Sequence, residues 1–364
     1  MIVAIDVTTL RGHISGVGYY TARIVDHLAG AVGRDISDLL LLSNGRVDRP
    51  LPGNARLVES FRFPVRSAWM QFLLPLLLRR LRPDLVHYTN YLAPAIRTSP
   101  YVVSVHDMSL TRTPEHHTLK KRLLTASLVP RIARGSRLVL APSESTRRDV
   151  IEDLGIAPSR VLSIPYAAAE MFKPEPARPA LPEAAAPYFL FVGTIEPRKN
   201  LLRLLDAFAN FARVVPDVRL ILVGERGWKC DDIYARAARP DIASRTVLTG
   251  YLPEAELPSL YSHALACVYP SLFEGFGFPV LEAMACGAPV ITSNTTSLGE
   301  IGEGAAVLVD PLDTRALTQA LIRIGSDPSL RQTLGRKGLA RAADFSWART
   351  GALTLQAYRT ALGC

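Results

Sequence analysis

The stretch Ser271–Asp310, SLFEGFGFPVLEAMACGAPVITSNTTSLGEIGEGAAVLVD, gives the clearest indication of the fold of this chain. The apolar run Leu265–Tyr269 before it predicts a strand, and Pro289–Ser293 predicts a second one. Between them, Pro279 and Gly287 mark the expected start and end of a helix. The glycine-rich loop before that helix holds Glu274, Gly275, Phe276 and Gly277. The unit is strand–loop–helix–strand, and ligands of parallel sheets bind at such loops.

Two carboxylates, Glu274 in the loop and Glu282 in the helix, frame this unit. A helix start offers unpaired N–H groups and a positive dipole end, which suit a phosphate group. A carboxylate beside such a site makes sense if it accepts hydrogen bonds from sugar hydroxyls. The alternative is that both glutamates are ordinary solvated residues, and the pair alone does not exclude it.

The sequence around this pair resembles the signature of retaining glycosyltransferases of family 4. The matching residues are Glu274, Gly275, Phe276, Gly277, Pro279, Glu282, Ala283, Met284, Ala285, Gly287, Pro289, Val290 and Ser293. The resemblance implies an α/β protein with the GT-B fold, in which two Rossmann-like domains face each other across a cleft. It also implies that Glu274 holds the donor sugar and that Glu282 holds the ribose of the nucleotide.

Length and composition fit two folded domains. The chain has 364 residues, 48% of them hydrophobic and 21% charged, which is typical of globular proteins with large cores. Its four cysteines form no C-x-x-C pair, which argues against a zinc site or a disulfide framework. MIVAIDVTTL reads as a strand rather than a signal peptide, so we expect a cytoplasmic protein, with the inner face of the cell membrane as a second possible location.

The domain boundary is predicted where proline and alanine dominate the sequence, at residues 169–186. We expect an acceptor-side Rossmann-like domain over residues 1–168 and a nucleotide-sugar-binding domain over residues 187–346. The final segment, about 347–364, resembles the last family helix, which crosses back to the first domain.

The positive charge is concentrated in the first half of the chain. Residues 1–165 hold 22 Lys and Arg against 13 Asp and Glu, whereas residues 166–364 hold 20 of each. Residues 60–134 alone carry 12 basic and 3 acidic side chains. Such a segment can bind an anionic membrane, a phosphorylated substrate or nucleic acid, or it can be a set of solvated helix faces. No nucleic-acid-binding motif accompanies it.

Two basic helices are predicted inside that segment. The stretch 61–82, FRFPVRSAWMQFLLPLLLRRLR, is aromatic and leucine-rich and ends in arginines. It fits either a helix lying in a membrane interface or a buried core helix. Residues 118–134 predict another helix, with Lys120, Lys121 and Arg122 near its start, where positive charge opposes the helix dipole. An anionic lipid surface or a pyrophosphate-bearing acceptor would favour those cations.

Two loops of the first domain carry candidate site residues. Gly16 lies in the loop TTLRGHISGVG between a strand and a helix, and the resemblance places the matching family loop near the donor phosphates and the acceptor. His106 ends the strand YVVSVHD. This run resembles the strand of family 4 mannosyltransferases whose histidine reaches the donor sugar, so we assign His106 a catalytic role beside Glu274. Asp107 can orient His106 or cap the next turn.

The run GTIEPRKN in the second domain places Arg198 and Lys199 in the turn before a helix. Two adjacent cations at the end of a strand fit a diphosphate, because arginine binds it bidentately and lysine acts as a point charge. The run also resembles the diphosphate-binding turn of family 4. By the same resemblance, Tyr251 is a candidate for contact with the nucleotide base.

These features predict a retaining, metal-independent hexosyltransferase, and no D-x-D motif occurs in the sequence. The resemblance to bacterial mannosyl- and rhamnosyltransferases favours GDP-mannose as the donor substrate, no separate cofactor, and a lipid-linked saccharide of surface polysaccharide assembly as the acceptor. A UDP-sugar donor, a nucleotide-sugar epimerase of the same fold and a basic nucleic-acid-binding protein remain the alternatives.

Overall fold

The computed structural model describes residues 1–12, 16–60, 63, 65–116 and 128–364. It divides the chain into two compact units. The first consists of Met1–Tyr166 together with Ser346–Cys364, and the second of Ala167–Phe345. The residues predicted as a linker, 169–186, fall within the second unit. There Phe172 is buried against Tyr261, with 6.0 Å between the ring centres.

The first unit is built on a parallel sheet. Its strands are β1 (Ile2–Asp6), β2 (Asp38–Asn44), β3 (Arg56–Ser60), β4 (Leu85–Tyr88), β5 (Tyr101–Ser104), β6 (Leu138–Ala141) and β7 (Val161–Ser163). Among the described residues they lie in the order β3-β2-β1-β4-β5-β6-β7. The central strands are short continuous apolar runs, as expected when helices cover both faces of a sheet.

The helices of this unit follow the predicted pattern with small shifts of their ends. They span Gly16–Ala29, Arg66–Ala68, Leu74–Leu81, Ser109–Arg112, Glu144–Leu154 and Trp347–Leu362, with a π-helical turn at Trp69–Leu73. That turn ends two residues before Pro75, which has no N–H to donate to the preceding turn. Of the second predicted basic helix, residues 128–135 are helical, whereas Lys120, Lys121 and Arg122 lie outside the described residues.

The second unit repeats this plan. Its strands are β8 (Tyr188–Val192), β9 (Arg219–Val223), β10 (Thr246–Gly250), β11 (Ala266–Tyr269), β12 (Val290–Ser293) and β13 (Val307–Val309), all parallel, in the order β10-β9-β8-β11-β12-β13. Its helices span Leu201–Ala212, Asp231–Ala237, Leu257–His263, Phe278–Ala285, Thr296–Gly302, Thr314–Ser326 and Pro328–Ala343. The expected strand–loop–helix–strand unit is thus β11, its loop, Phe278–Ala285 and β12.

Both sheets have the strand order of doubly wound Rossmann-like domains, which confirms the predicted fold class. The order reverses between β1 and β4 in one sheet and between β8 and β11 in the other. Ligands of such sheets bind beyond the carboxyl ends of the strands at this point. The last helix, Trp347–Leu362, belongs to the first unit, as predicted. In the parts of the chain that the structure describes, no helix has the length and apolar character needed to cross a bilayer.

Candidate active site

The loop after β8 places Arg198 and Lys199 at the switch point of the second sheet. They lie in a 3-10 turn, Pro197–Lys199, which ends at Asn200 in the left-handed conformation (φ 60°). The Asn200 amide donates to the carbonyls of Pro270, at 3.0 Å, and Pro311, at 2.6 Å. The first bond ties the turn to the segment that follows β11, and the second ties it to the segment that follows β13. The loops after the neighbouring strands β8 and β11 therefore form one site.

In this site Glu274 accepts hydrogen bonds from both cations. Arg198 Nη1 lies 2.8 Å from Glu274 Oε2, and Lys199 Nζ lies 2.6 Å from Glu274 Oε1. Arg198 Nη2 also binds Glu196 Oε1 at 2.8 Å. These four residues, Glu196, Arg198, Lys199 and Glu274, are called the ion-pair cluster below. The structure thus brings together three predicted site residues and adds Glu196, and the formal charges of the four side chains sum to zero.

The ion-pair cluster is largely shielded from solvent, since its side chains are 2–14% exposed. Burial by itself would raise the pKa of Glu274, but the charges of Arg198 and Lys199 and their hydrogen bonds lower it to about 2. Burial and the positive charge of Arg198 lower the pKa of Lys199. Glu274 is therefore an anion at neutral pH, and it forms ion pairs with the two cations that were assigned to the diphosphate.

Tyr269, the last residue of β11, contacts Lys199 through both its hydroxyl and its ring. Its hydroxyl accepts a hydrogen bond from Lys199 Nζ at 2.6 Å, and the ammonium lies 5.0 Å from the centre of the aromatic ring. The Tyr269 hydroxyl also lies 3.3 Å from Glu274 Oε1. Tyr269 and Glu196 were not predicted as site residues, although Glu196 lies in the run GTIEPRKN.

The glycine-rich loop is held by its backbone and by one packed ring. The Glu274 carbonyl accepts from Ser297 Oγ at 2.9 Å, and Gly277 has a φ of 109°, which favours glycine. A Cβ at Gly277 would lie 2.6 Å from Leu298. Phe276 is buried and its ring packs on those of Phe278 and Phe345. Phe276 therefore anchors the loop in which Gly275 lies. We expect a ligand to contact the backbone of this loop rather than the Phe276 ring.

Glu282 lies on the helix Phe278–Ala285 in a different environment from Glu274. Its Oε2 accepts a hydrogen bond from the Tyr261 hydroxyl at 3.1 Å. Burial raises its pKa to about 8. At pH 7 this side chain is mainly a neutral carboxylic acid, which can donate as well as accept a hydrogen bond. The two glutamates therefore differ in charge as well as in position.

Two further candidates are more loosely defined. Tyr251 directly follows β10 and is 55% exposed, and its contact with the nucleotide base stays a prediction. Gly16 begins the helix Gly16–Ala29 in the first unit, and a Cβ built there would meet nothing within 4 Å. Among the described residues, therefore, nothing in its surroundings requires glycine at position 16, and its assignment rests on the resemblance.

His106 lies in the first unit beyond the carboxyl end of β5. Its Nε2 lies 2.7 Å from the Thr89 carbonyl and its Nδ1 lies 2.8 Å from the Tyr166 hydroxyl. Its predicted contact with the donor sugar stays a prediction. His87 on the neighbouring strand β4 is buried, and its two ring nitrogens bind Ser104 and Tyr358.

The described residues contain no group of three or more His, Cys, Asp or Glu side chains arranged to hold a metal ion. What the site offers a ligand is positive charge from Arg198 and Lys199, backbone N–H groups at a helix start, and two carboxyl groups. That combination suits an anionic ligand that also carries hydroxyl groups, as a nucleoside diphosphate does.

Comparison with known sequences agrees with this geometry. The family Glycosyltransferase Family 4 matches residues 14–167, and the family Glycosyl transferases group 1 matches residues 175–341. The O-antigen chain mannosyltransferase B of Escherichia coli is 32% identical over 378 aligned residues, which cover 95% of this chain and 96% of that protein. The serotype-specific mannosyltransferase WbdA of Escherichia coli is also 32% identical, over 60% of this chain and 28% of its own length.

Solved structures share the fold at lower identity. Sucrose-phosphate synthase from Thermosynechococcus elongatus superimposes with a TM-score of 0.78 at 22% identity, covering 99% of both chains. Anabaena Alr3699/HepE in complex with UDP and glucose gives a TM-score of 0.75 at 17% identity, covering 99% of this chain and 100% of the other. The chain therefore belongs to the glycosyltransferases of family 4 and has the GT-B fold.

Proposed function

We propose that this glycosyltransferase moves a mannosyl residue, or a closely related hexose, from a GDP-sugar to a hydroxyl of a saccharide acceptor, with retention of configuration. The observation that carries the proposal is the 32% identity, over 95% of the chain, to an O-antigen chain mannosyltransferase. The ion-pair cluster supports the nucleotide part of it, because it supplies two cations at the switch point where a diphosphate would bind.

At the anomeric carbon the transfer breaks one bond and makes one, and a proton moves from the acceptor oxygen to the leaving group. The bond from the anomeric carbon to the diphosphate oxygen breaks, and its electron pair leaves with the diphosphate. The acceptor oxygen bonds to the same face of the anomeric carbon and loses its proton to the departing phosphate oxygen. Negative charge therefore grows on the diphosphate, and we assign Arg198, Lys199 and the helix start after Gly277 to stabilise it.

Glu274 must change partners for this to happen. Because it now binds both cations, at 2.8 Å and 2.6 Å, an entering diphosphate competes with it for them. Released from the cations, the carboxylate can accept hydroxyl groups of the donor sugar. Glu282 is assigned to the ribose and Tyr251 to the base. The reaction as written needs no metal ion and no separate cofactor.

The test is the thermal unfolding midpoint of the purified protein with GDP, UDP or ADP at equal concentration. A ligand that binds only the folded protein raises the midpoint according to its affinity. We expect GDP to give the largest shift. The variant Lys199→Met should weaken GDP binding by about 1–3 kcal/mol, whereas Arg213→Met, which removes an exposed cation of the same unit, should keep the shift.

The outcomes separate the alternatives. A shift with UDP alone would keep the glycosyltransferase and overturn the mannosyl donor. No shift with any nucleotide, or an equal shift in the Lys199→Met protein, would overturn the assignment of the ion-pair cluster to the diphosphate.

We further propose that the acceptor is lipid-linked and that the first unit rests on an anionic bilayer. The helical run over residues 66–81 buries Trp69, Leu74 and Leu78 in the core, so the predicted core helix and the predicted surface helix are two faces of one element. On the opposite face Phe72 is 70% exposed and Leu76 is 59% exposed.

The charges next to this face favour an anionic membrane as its binding partner. Arg79 and Arg80 follow Leu76 by three and four residues, so they lie on the same side of the helix and are exposed. Apolar side chains next to arginines are the composition of a helix that lies in the headgroup region of an anionic membrane. Nearby in sequence, Val65 is 56% exposed and adds apolar surface to the same region.

We expect the protein to float with vesicles that contain anionic phospholipid and not with neutral ones. The double variant Phe72→Ser, Leu76→Ser should bind about thirtyfold more weakly, because each of the two side chains contributes on the order of 1 kcal/mol to insertion. Val214→Ser removes an apolar residue of the second unit that is 64% exposed, and it should bind like the wild type. Equal flotation of all three proteins would show that this helix face is not the membrane-binding surface.

A further inference from the structure

Two histidine–tyrosine pairs lie inside the first unit. Tyr166 places its hydroxyl 2.8 Å from Nδ1 of His106, and Tyr358 places its hydroxyl 2.6 Å from Nδ1 of His87. All four side chains belong to the same compact unit, although Tyr358 comes from the last helix of the chain. The two pairs are alike in chemistry, but only one of them contains a candidate site residue.

The partners of His106 fix its protonation. A backbone carbonyl can only accept a hydrogen bond, so Nε2, at 2.7 Å from the Thr89 carbonyl, carries the hydrogen. In the neutral ring Nδ1 is then the acceptor, and Tyr166 donates to it. Burial lowers the pKa of His106, against smaller opposing effects of the Thr89 carbonyl and Asp107. Both nitrogens are thus engaged and the ring is neutral near pH 7.

Tyr166 is itself held by aromatic neighbours. Its ring stacks on Trp347, with 6.0 Å between ring centres and an interplanar angle of 12°, and lies 4.5 Å from the ring centre of Tyr20. The carbonyl of the preceding residue, Pro165, accepts from Thr350 Oγ1 at 2.6 Å. Tyr166 is buried, and the last helix of the chain therefore fixes the position from which its hydroxyl reaches His106.

We propose that Tyr166 is a positioning residue for sugar transfer, which holds the His106 ring as a neutral, Nε2-protonated group. In this arrangement His106 contributes a fixed shape beside the substrate and neither takes up nor gives away a proton during the reaction. The proposal rests on the proposed function and on the predicted contact of His106 with the donor sugar. It adds a residue that the sequence motifs do not include.

The test compares Tyr166→Phe with Tyr358→Phe, which removes an equivalent buried hydroxyl from the other histidine. Two readouts are taken: the 15N resonances of the histidine rings without substrate, and kcat and KM for the sugar donor. In Tyr166→Phe we expect the His106 Nδ1 resonance to move toward the position of a nitrogen without a hydrogen bond, while Nε2 keeps its proton. The kcat should fall about 10–100-fold, the range for a misplaced active-site group, with donor KM nearly unchanged.

In Tyr358→Phe the His87 resonances should move instead. The His106 resonances should stay at their wild-type positions, and kcat should stay within about twofold of the wild type. An unmoved His106 resonance in Tyr166→Phe would show that Tyr166 does not hydrogen-bond to His106. An unchanged kcat would show that Tyr166 does not position His106 for transfer. An equal loss of kcat in both variants would show a general loss of packing and overturn the proposal. Failure of the proposed function is seen separately, because the wild-type protein would then transfer no hexose. That result would exclude a role of Tyr166 in transfer, whereas the hydrogen bond shown by the resonances would still stand.

Discussion

A Glu274→Gln protein is expected to bind GDP at least as tightly as the wild type and to transfer sugar about 10²–10³-fold more slowly. The loss of rate has the size measured when one charged or polar group is removed from a preorganised site. The retained affinity follows from the ion-pair cluster. Glutamine can still accept hydrogen bonds through its carbonyl oxygen, but it no longer competes as an anion for Arg198 and Lys199.

The measurement is steady-state turnover together with calorimetric titration of GDP. Glu303→Gln is the matched control, because it neutralises an exposed carboxylate of the same unit. A Glu274→Gln protein with wild-type turnover would remove Glu274 from the reaction. Weaker GDP binding in this variant would contradict the competition between carboxylate and diphosphate, since that competition predicts the opposite sign.

The second large effect is expected in stability rather than in rate. A Glu282→Gln protein should match the wild type in unfolding free energy near pH 4.5 and exceed it by about 2–4 kcal/mol at pH 9. Glutamine resembles the neutral carboxylic acid and can still accept the hydrogen bond from Tyr261. It cannot ionise, and so it avoids the cost that the wild type bears at high pH.

The sign follows from where each state binds the proton. Below the ordinary pKa of 4.5, Glu282 is protonated in both the folded and the unfolded chain. Between 4.5 and about 8 the unfolded chain has lost the proton and the folded protein still holds it, so stability falls as pH rises. Urea unfolding of both proteins at pH 5, 7 and 9 measures the difference. A gap that stays constant with pH would show that Glu282 is ionised in the folded protein.

Much of the fold is readable in the sequence because its central strands are continuous apolar runs. Ala266–Tyr269 is an example, since every residue in it is buried and it lies within the predicted strand Leu265–Tyr269. The edge strand Arg56–Ser60 gives no such signal, because its residues are largely exposed and only partly apolar. Pro279 and Gly287 also marked the helix of the site to within two residues, as Phe278–Ala285.

The site was only partly predictable, because a motif shows which residues are present and not which of them pair. Arg198, Lys199 and Glu274 were expected around a ligand, and the structure shows them binding one another. Glu196 could not be singled out, since side-chain direction in a short turn is not visible in sequence. The partners of His106 lie 17 and 60 residues away, as Thr89 and Tyr166, and the spacing of a motif does not reach them.

The return of the last helix to the first unit has a consequence for how the protein is made. The ribosome delivers residues 167–345 as one continuous segment, so the second unit has its whole sequence before synthesis ends. The first unit does not, because His87 must wait for the hydroxyl of Tyr358, 271 residues later. The first unit is therefore the last to complete its core, and a chain that stops before Tyr358 lacks the partner of His87 although residues 167–345 are all present.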